Sequence, residues 1–320
     1  MPSCAPVQGL TNVLTVDLEE WFHIDERLIP AGEWERLPSR VEENTRALLA
    51  LFDACRVRAT FFALGWAAAR HQGLIHEIHE RGHEIATHGY LHASVAAMSP
   101  EEFAVDLRAA RRAVEGCTGG PVLGYRAPRW TLGGAPGAGR RGRASGVVGP
   151  ALDVLIREGF RYDSSLAPIV HIGDPDWPRD PYRIDRPGGS IVELPPLVGR
   201  RFGVPLLFAG GWALRTVPNR TLLREIEARN RGGAPAVIDV HTWEFDPDPP
   251  RVRLPFMYRL AHYGGLRGHG AKLEELLRSV PWSPARDWVG SQIESPNLAA
   301  RIARSVPSTS PSASTSAAGE

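Results

Sequence analysis

Short apolar runs alternate with helix-length amphipathic segments along most of this chain, a pattern that calls for parallel strands joined by crossover helices. NVLTVDL (12–18) predicts a buried strand. Ser39, with Glu42 three residues on, predicts a capping box opening a helix with Val41, Leu48, Leu49, Phe52 and Cys55 on its apolar side. VRATFFAL (57–64) predicts a second strand, 66–81 a helix stopped by Gly82, and HEIATH (83–88) a third strand. Ser99-Pro100-Glu101-Glu102 predicts another capped helix start, with proline at the first position, and that helix runs to about Glu115. VLGYRAP (122–128) predicts a fourth strand. A helix at 149–158 leads to FRYDSS (160–165) and IVELPP (191–196). A helix at 218–230, a late strand AVIDVHTW (236–243) and a last helix at 271–279 complete the pattern. A barrel and an open doubly wound sheet both satisfy it. No GxGxxG or GxxxxGK[ST] follows a strand, which speaks against nucleotide binding.

Composition narrows the class. The chain has 320 residues, 43% hydrophobic and 23% charged, which suits a soluble globular protein with a sizeable core. A net charge of +1 gives no field for nucleic acid or an anionic surface. Cys4, Cys55 and Cys117 form no CxxC pair, and their odd count gives no disulfide framework, so a reducing compartment fits. The N-terminal stretch lacks the basic start and apolar run of a signal peptide, and no stretch approaches a membrane span; a cytoplasmic location is expected. Residues 1–11 read as an extension and 12–290 as one catalytic domain. The Gly-rich, basic stretch 133–150 reads as a flexible insertion and 291–320 as a disordered tail.

Ionisable residues interrupt the apolar runs at strand C-termini: Asp17 and Glu19, His88, Arg126, then Asp239 and His241. In a parallel barrel these ends converge on one face, where active sites form. Asp17 and Glu19 at i and i+2 point to one side of a strand, and two buried carboxylates there need a cation. Glu20 points to the other side. In HGYLH (88–92), His88 and His92 are spaced as an i, i+4 metal pair, although Gly89 and the preceding strand argue for a loop. His71, His76, His79 and His83 lie close by, so chance pairs are common; His76 and His79 read as surface residues. Two imidazoles and a carboxylate leave positions on a metal for water and substrate. Arg126 can hold a carboxylate in its ionised form. His241, flanked by Asp239 and Glu244, suits a general acid.

Taken together, these residues resemble the NodB-type polysaccharide deacetylases, carbohydrate esterase family four, over roughly residues 12 to 290. Five motifs fall in the family's order: TVDLEE (15–20), HGYLH (88–92), RAPRW (126–130), FRYDSS (160–165) and VHTWEFDP (240–247). VDLEEWFH, TFFALGW, GYRAP, YDSS and HTWEFDP are similar to a branch encoded with exosortase-linked exopolysaccharide clusters in bacteria.

The resemblance implies a distorted (β/α) barrel of the NodB-homology type, an incomplete TIM-like barrel. It implies a divalent metal, most often Zn2+, and removal of N-acetyl groups from amino sugars of an exopolysaccharide or its lipid-linked precursor. It implies Asp17 as general base, with His88 and His92 as metal ligands. Glu19 is the preferred third ligand, since Leu18 stands where a second aspartate is usual; Glu20 and Asp17 are the alternatives. It implies Arg126 as the orienter of Asp17, a backbone N–H near Arg129 for the oxyanion, and His241 as general acid. Asp163 would support His241, a task that Asp239 or Glu244 could also perform. Trp130, Trp243 and Trp212 could stack on sugar faces, and the charge of Arg129 could favour an anionic glycan. The rival readings are an amidase acting on a small non-sugar amide and a non-catalytic glycan-binding protein, although the latter is expected to lack the base or acid that Asp17 and His241 supply.

Overall fold

A computed structural model describes residues 10–133, 147–170, 172–201 and 203–293. Residues 134–146 of the expected insertion lie outside the described residues, while its last three, 148–150, are the start of a helix. Most of the N-terminal extension and the tail from residue 294 on also lie outside, and 291–293 of the expected tail end a helix.

The first half alternates as its periodicities predict: β1 (Asn12–Leu18), α1 (Val41–Cys55), β2 (Thr60–Ala63), α2 (Gly65–Arg70), α3 (Gln72–Glu80), β3 (Glu84–Thr87), α4 (Pro100–Thr118) and β4 (Gly124–Tyr125). It continues through α5 (Val148–Arg157), β5 (Tyr162–Asp163), the hairpin of β6 (Tyr182–Arg186) and β7 (Gly189–Glu193), and a separate hairpin of β8 (Val198–Arg201) and β9 (Val204–Leu207). Then come α6 (Gly211–Thr216), α7 (Asn219–Arg231), β10 (Val237–His241), α8 (Phe256–Tyr263), α9 (His269–Ser279), β11 (Trp282–Ser283) and α10 (Ala285–Ile293).

The main sheet runs β10-β1-β2-β3-β4-β5-β7-β6, with β11 also paired to β1. From β10 through β7 every neighbour is parallel, and β6 returns antiparallel on β7. From β1 through β5 strand order follows chain order with no reversal, and only the antiparallel hairpin at the far edge inverts it, β7 preceding β6. That one-way winding is the signature of a barrel and excludes the doubly wound alternative, in which strand order switches direction. The sheet is a curled half-barrel, unclosed among the described residues because β6 and β10 do not pair. β1, β2 and β3 are buried along their whole length, as strands covered on both faces must be.

Several local expectations are corrected. Ser39 does not cap α1: the N-cap is Arg40, and Ser39 Oγ instead hydrogen-bonds Glu20 Oε1. The Glu20 carboxylate accepts from the backbone N–H groups of Arg40 and Val41, so the cap comes from twenty residues upstream. The helix over 66–81 is two helices, broken at His71 (φ −119°, ψ 46°), whose Nδ1 lies 2.9 Å from Glu42 Oε1. The fourth strand is short because the chain turns at once into a 3-10 segment, Pro128–Gly133, whose first residue has no N–H to pair. The late strand likewise ends at His241 in a 3-10 turn, Thr242–Phe245. The last described helix is α10. By contrast, Ser99 and Glu102 form the expected capping box on α4.

Candidate active site

The register of β1 builds the centre. Asp17 pairs laterally with His241 on β10, and Thr15 with Asp239, so these side chains emerge together at the strand ends. Arg126 follows β4. Its Nη1 donates to Asp17 Oδ1 at 2.8 Å and to Thr15 Oγ1 at 2.9 Å, and its Nη2 donates to Ser164 Oγ at 2.9 Å. The guanidinium is buried over the Phe62 ring, 4.3 Å from its centroid. The contacts with Thr15, Ser164 and Phe62 fix the Arg126 guanidinium, which in turn holds Asp17 through Oδ1. Its other oxygen, Oδ2, lies 3.8 Å from His88 Nε2 and 3.8 Å from His241 Nε2.

His88 and His92 are not on a helix. HGYLH is a loop in which Gly89 (φ 77°) and His92 (φ 55°) take left-handed conformations. A Cβ at Gly89 would sit 3.1 Å from Asp106 Oδ2, which accepts from the Tyr90 N–H. The Gly89 and Tyr90 carbonyls accept from the first amides of α2. Holding a histidine at positive φ is costly and is found where the surroundings over-determine it. Here the result is that Glu19, His88 and His92 bring one ligand atom each within 4.8 Å of one another, all buried.

The donor set fits a divalent ion. His88 Nδ1 is 2.9 Å from the Arg126 carbonyl, an acceptor only, so Nδ1 carries the proton and Nε2 keeps its lone pair. Burial, with the neighbouring His92 charge, pushes His88 down to about 4, so it is neutral. Glu19 Oε1 accepts from Trp243 Nε1 at 3.0 Å, while Oε2, 3.0 Å from His92 Nε2, is a buried oxygen with no hydrogen-bond donor. Burial opposes ionisation of Glu19, but His92, His241 and His88 hold it well below the usual carboxylate range. Two imidazole nitrogens and one ionised carboxylate, each fixed from behind, form a ligand set suited to zinc or a similar ion.

On the opposite side of Asp17, His241 Nδ1 faces Glu244 Oε2 at 3.4 Å, and Glu244 Oε1 is 2.9 Å from Arg215 Nε. Glu244 is fully buried. Burial disfavours the imidazolium, yet Glu244, then Glu19 and Asp17, raise His241 to about 10, so Nε2 carries a proton. Glycine is required at 211, because a Cβ there would fall 1.7 Å from Glu244 Oε1. Asp239 adds a third buried carboxylate beside Asp17 and His241, with neither oxygen hydrogen-bonded; burial raises it to about 6.

Four expectations change. Asp163 is engaged elsewhere: it pairs in register with Glu193 and accepts from Ser165 Oγ at 2.5 Å, and the Ala127 N–H donates to that same Ser165 Oγ. The carboxylate seated against His241 is Glu244. Trp243 is buried and spends its N–H on Glu19, which leaves no free face for sugar stacking. The charge of Arg129 is compensated, with Nη1 2.7 Å from Asp25 Oδ2 and Nη2 3.4 Å from Glu26 Oε2. Glu20 caps α1 and faces away from the ligand cluster. Trp130 is half-buried beside Gly210, and Trp212 is exposed. Sequence reasoning missed Arg215, Trp243's role as orienter and His23. The His23 ring stacks 6.2 Å from His92 inside a wall of Phe22, Trp34 and Trp66. The one available signal for that wall was the aromatic density of WFH (21–23).

Residues 33–132 match the family model for polysaccharide deacetylases, and residues 164–290 match that of a domain of unknown function, DUF3473. His88, His92 and Arg126 lie in the first segment and His241 and Glu244 in the second; Asp17 and Glu19 precede both. A peptidoglycan deacetylase of Helicobacter pylori is 27% identical over 144 residues, 43% of this chain and 44% of that protein, so the match spans less than half of the relative. Among solved structures, a protein of Mycobacterium smegmatis described as a polysaccharide deacetylase superposes with TM-score 0.55 at 20% identity, covering 92% of this chain and 96% of that one. An allantoinase superposes with TM-score 0.51 at 17% identity, covering 87% and 88%. At these identities the superpositions speak for the fold. Residues 33–132 are thus similar to polysaccharide deacetylases by family model and by curated relative, and the chain as a whole shares the fold of the superposed structures.

Proposed function

We propose that this chain is a metal-dependent hydrolase that removes N-acetyl groups from amino sugars of a bacterial polysaccharide, with an exopolysaccharide or its lipid-linked precursor as the substrate. One observation carries the reading: Asp17 Oδ2 stands 3.8 Å from both a neutral ligand-type imidazole, His88, and a protonated one, His241. A base flanked by a metal cluster and an acid is the arrangement amide hydrolysis needs.

A divalent ion, Zn2+ being the best match, held by Glu19, His88 and His92 would polarise the acetamide carbonyl and acidify water. Arg126 holds Asp17 through Oδ1, which leaves Oδ2 to accept the proton of the attacking water. The water oxygen bonds to the carbonyl carbon, and the C–N bond breaks. His241 Nε2 then gives its proton to the departing amine, while Glu244, braced by Arg215, holds the imidazole in place. A backbone N–H near Arg129 would assist the oxyanion. Acetate and a free amino sugar result.

The test is acetate release from N-acetylglucosamine oligomers and, in parallel, ring opening of allantoin to allantoate, each with chelator and with zinc restored. Metal-dependent acetate release from the sugar, with allantoin untouched, is expected. Ring opening of allantoin without acetate release from the sugar would assign the site to small amides, and no hydrolysis of either by zinc-replete protein would overturn the reading.

A further inference from the structure

We propose that α8 and its flanks form a docking surface for a bilayer of anionic phospholipid. α8 leaves its large apolar residues in solvent: Phe256 is 65% exposed, Met257 68%, Leu260 43% and Tyr258 39%. Trp212, 43% exposed, extends the patch, since a Cβ at Gly264 would touch both the Leu260 carbonyl and the Trp212 ring. A contiguous apolar face of this kind on a soluble domain marks an interaction site.

The rim identifies the partner. Between Asp248 and Glu274 the chain carries Arg251, Arg253, Arg259 and Arg267 and no carboxylate, and of these Arg251 is paired at its edge with Asp248, 3.8 Å away. Arg251 lies over the Tyr263 ring at 4.4 Å and Arg259 beside Phe256 at 5.7 Å, so the guanidiniums share the surface of the apolar side chains. Apolar side chains flanked by arginines seat at the boundary of headgroups and acyl chains, with the cations on anionic phosphates. A second copy of the chain would instead set one arginine rim against another. The inner side of α8 reaches the catalytic centre, because His262 packs 4.3 Å from Trp243, which holds Glu19. Tyr258 Oη is 3.4 Å from Asp25, the partner of Arg129. Docking on this face brings the site up to the membrane surface. The proposal stands apart from the deacetylase reading, since it is read from binding without turnover.

The experiment is co-sedimentation of the full chain with phosphatidylcholine vesicles and with vesicles that also contain phosphatidylglycerol, at low and high salt. Binding to the anionic vesicles at low salt is expected, weakening as salt screens the arginines. Phe256→Ser/Met257→Ser/Leu260→Ser should lower the partition at least about tenfold, as three apolar side chains leave the membrane. Arg253→Glu/Arg259→Glu should also weaken it, with the apolar face intact and the melting temperature of the wild type. Absence of wild-type binding to anionic vesicles, equal binding to phosphatidylcholine alone, or unchanged binding by both variants would overturn the proposal. A vesicle-indifferent wild type that dimerises, with a monomeric triple variant, would assign the face to a second copy and overturn it as well.

Discussion

Glu19 sits between two side chains that no spacing rule connects to it: Trp243 holds one oxygen and His92 faces the other. Replacing Trp243 with Phe keeps the bulk and removes the donor. Zinc affinity is expected to fall about 10- to 100-fold, the usual cost of losing an outer partner of a ligand, as read by competition with a chromogenic chelator. Unchanged affinity would remove Trp243 as an orienter. Asp17→Asn is nearly isosteric and leaves the ligand cluster in place. It should keep bound zinc and lose about 10²- to 10⁴-fold in turnover, the range for a general base; wild-type turnover would rule out the base role. Asp17, His88, Arg126 and His241 were legible because an ionisable residue at the end of an apolar strand has few structural excuses. The contacts of Trp243 with Glu19 and of Arg215 with Glu244 were not, since each joins residues whose proximity only the closed fold creates.

The elements show where local rules succeed and where tertiary contacts override them. Ser99 and Glu102 lie within one turn of each other, so their capping box was readable; the same signature at Ser39 was not honoured because Glu20 competes for those amides. Glu20→Ala should therefore cost about 0.5–2 kcal/mol of unfolding free energy in a denaturant titration, as other cap losses do, whereas Glu42→Ala should leave that cap undisturbed. If the two effects were reversed, the cap assignment would be wrong. At the start of α6, Gly211→Ala would drive a methyl into Glu244. We expect that variant to fold less stably and to lose turnover more severely than a surface Gly→Ala change such as Gly270→Ala. Equal behaviour of the two would mean that Glu244 can move freely.

At the scale of the whole molecule, strand order follows chain order from β1 to β5 and β10 returns beside β1, and that is why the sequence-distant residues meet on one rim. The repeated β-then-α pattern conveyed parallel strands but left barrel and doubly wound sheet equivalent, because order in a sheet depends on long-range pairing. The segment matching the domain of unknown function brings His241 within 4.0 Å of Asp17 and Glu19, which precede the segment matching the deacetylase model, so residues of both matched segments line one candidate site. Behind the Arg126 loop, Asp163 and Glu193 are two buried carboxyls in register. Burial raises Asp163 to about 6, and burial with the Asp163 charge raises Glu193 well above the ordinary range. Both folded values exceed the unfolded ones near 4. Their contribution to stability is therefore full below about pH 4 and lost as pH rises through 6 and beyond. Glu193→Gln should flatten that part of the melting-temperature profile, and an unchanged slope would exclude the pair as its source. The central claim, that Glu19, His88 and His92 form the metal centre served by Asp17, is tested most directly by calorimetric titration of metal-free protein with Zn2+. The account predicts one site per chain in the wild type and in Asp17→Asn, with loss of that site in Glu19→Ala and His92→Ala. Wild-type zinc binding by those two alanine variants would contradict it.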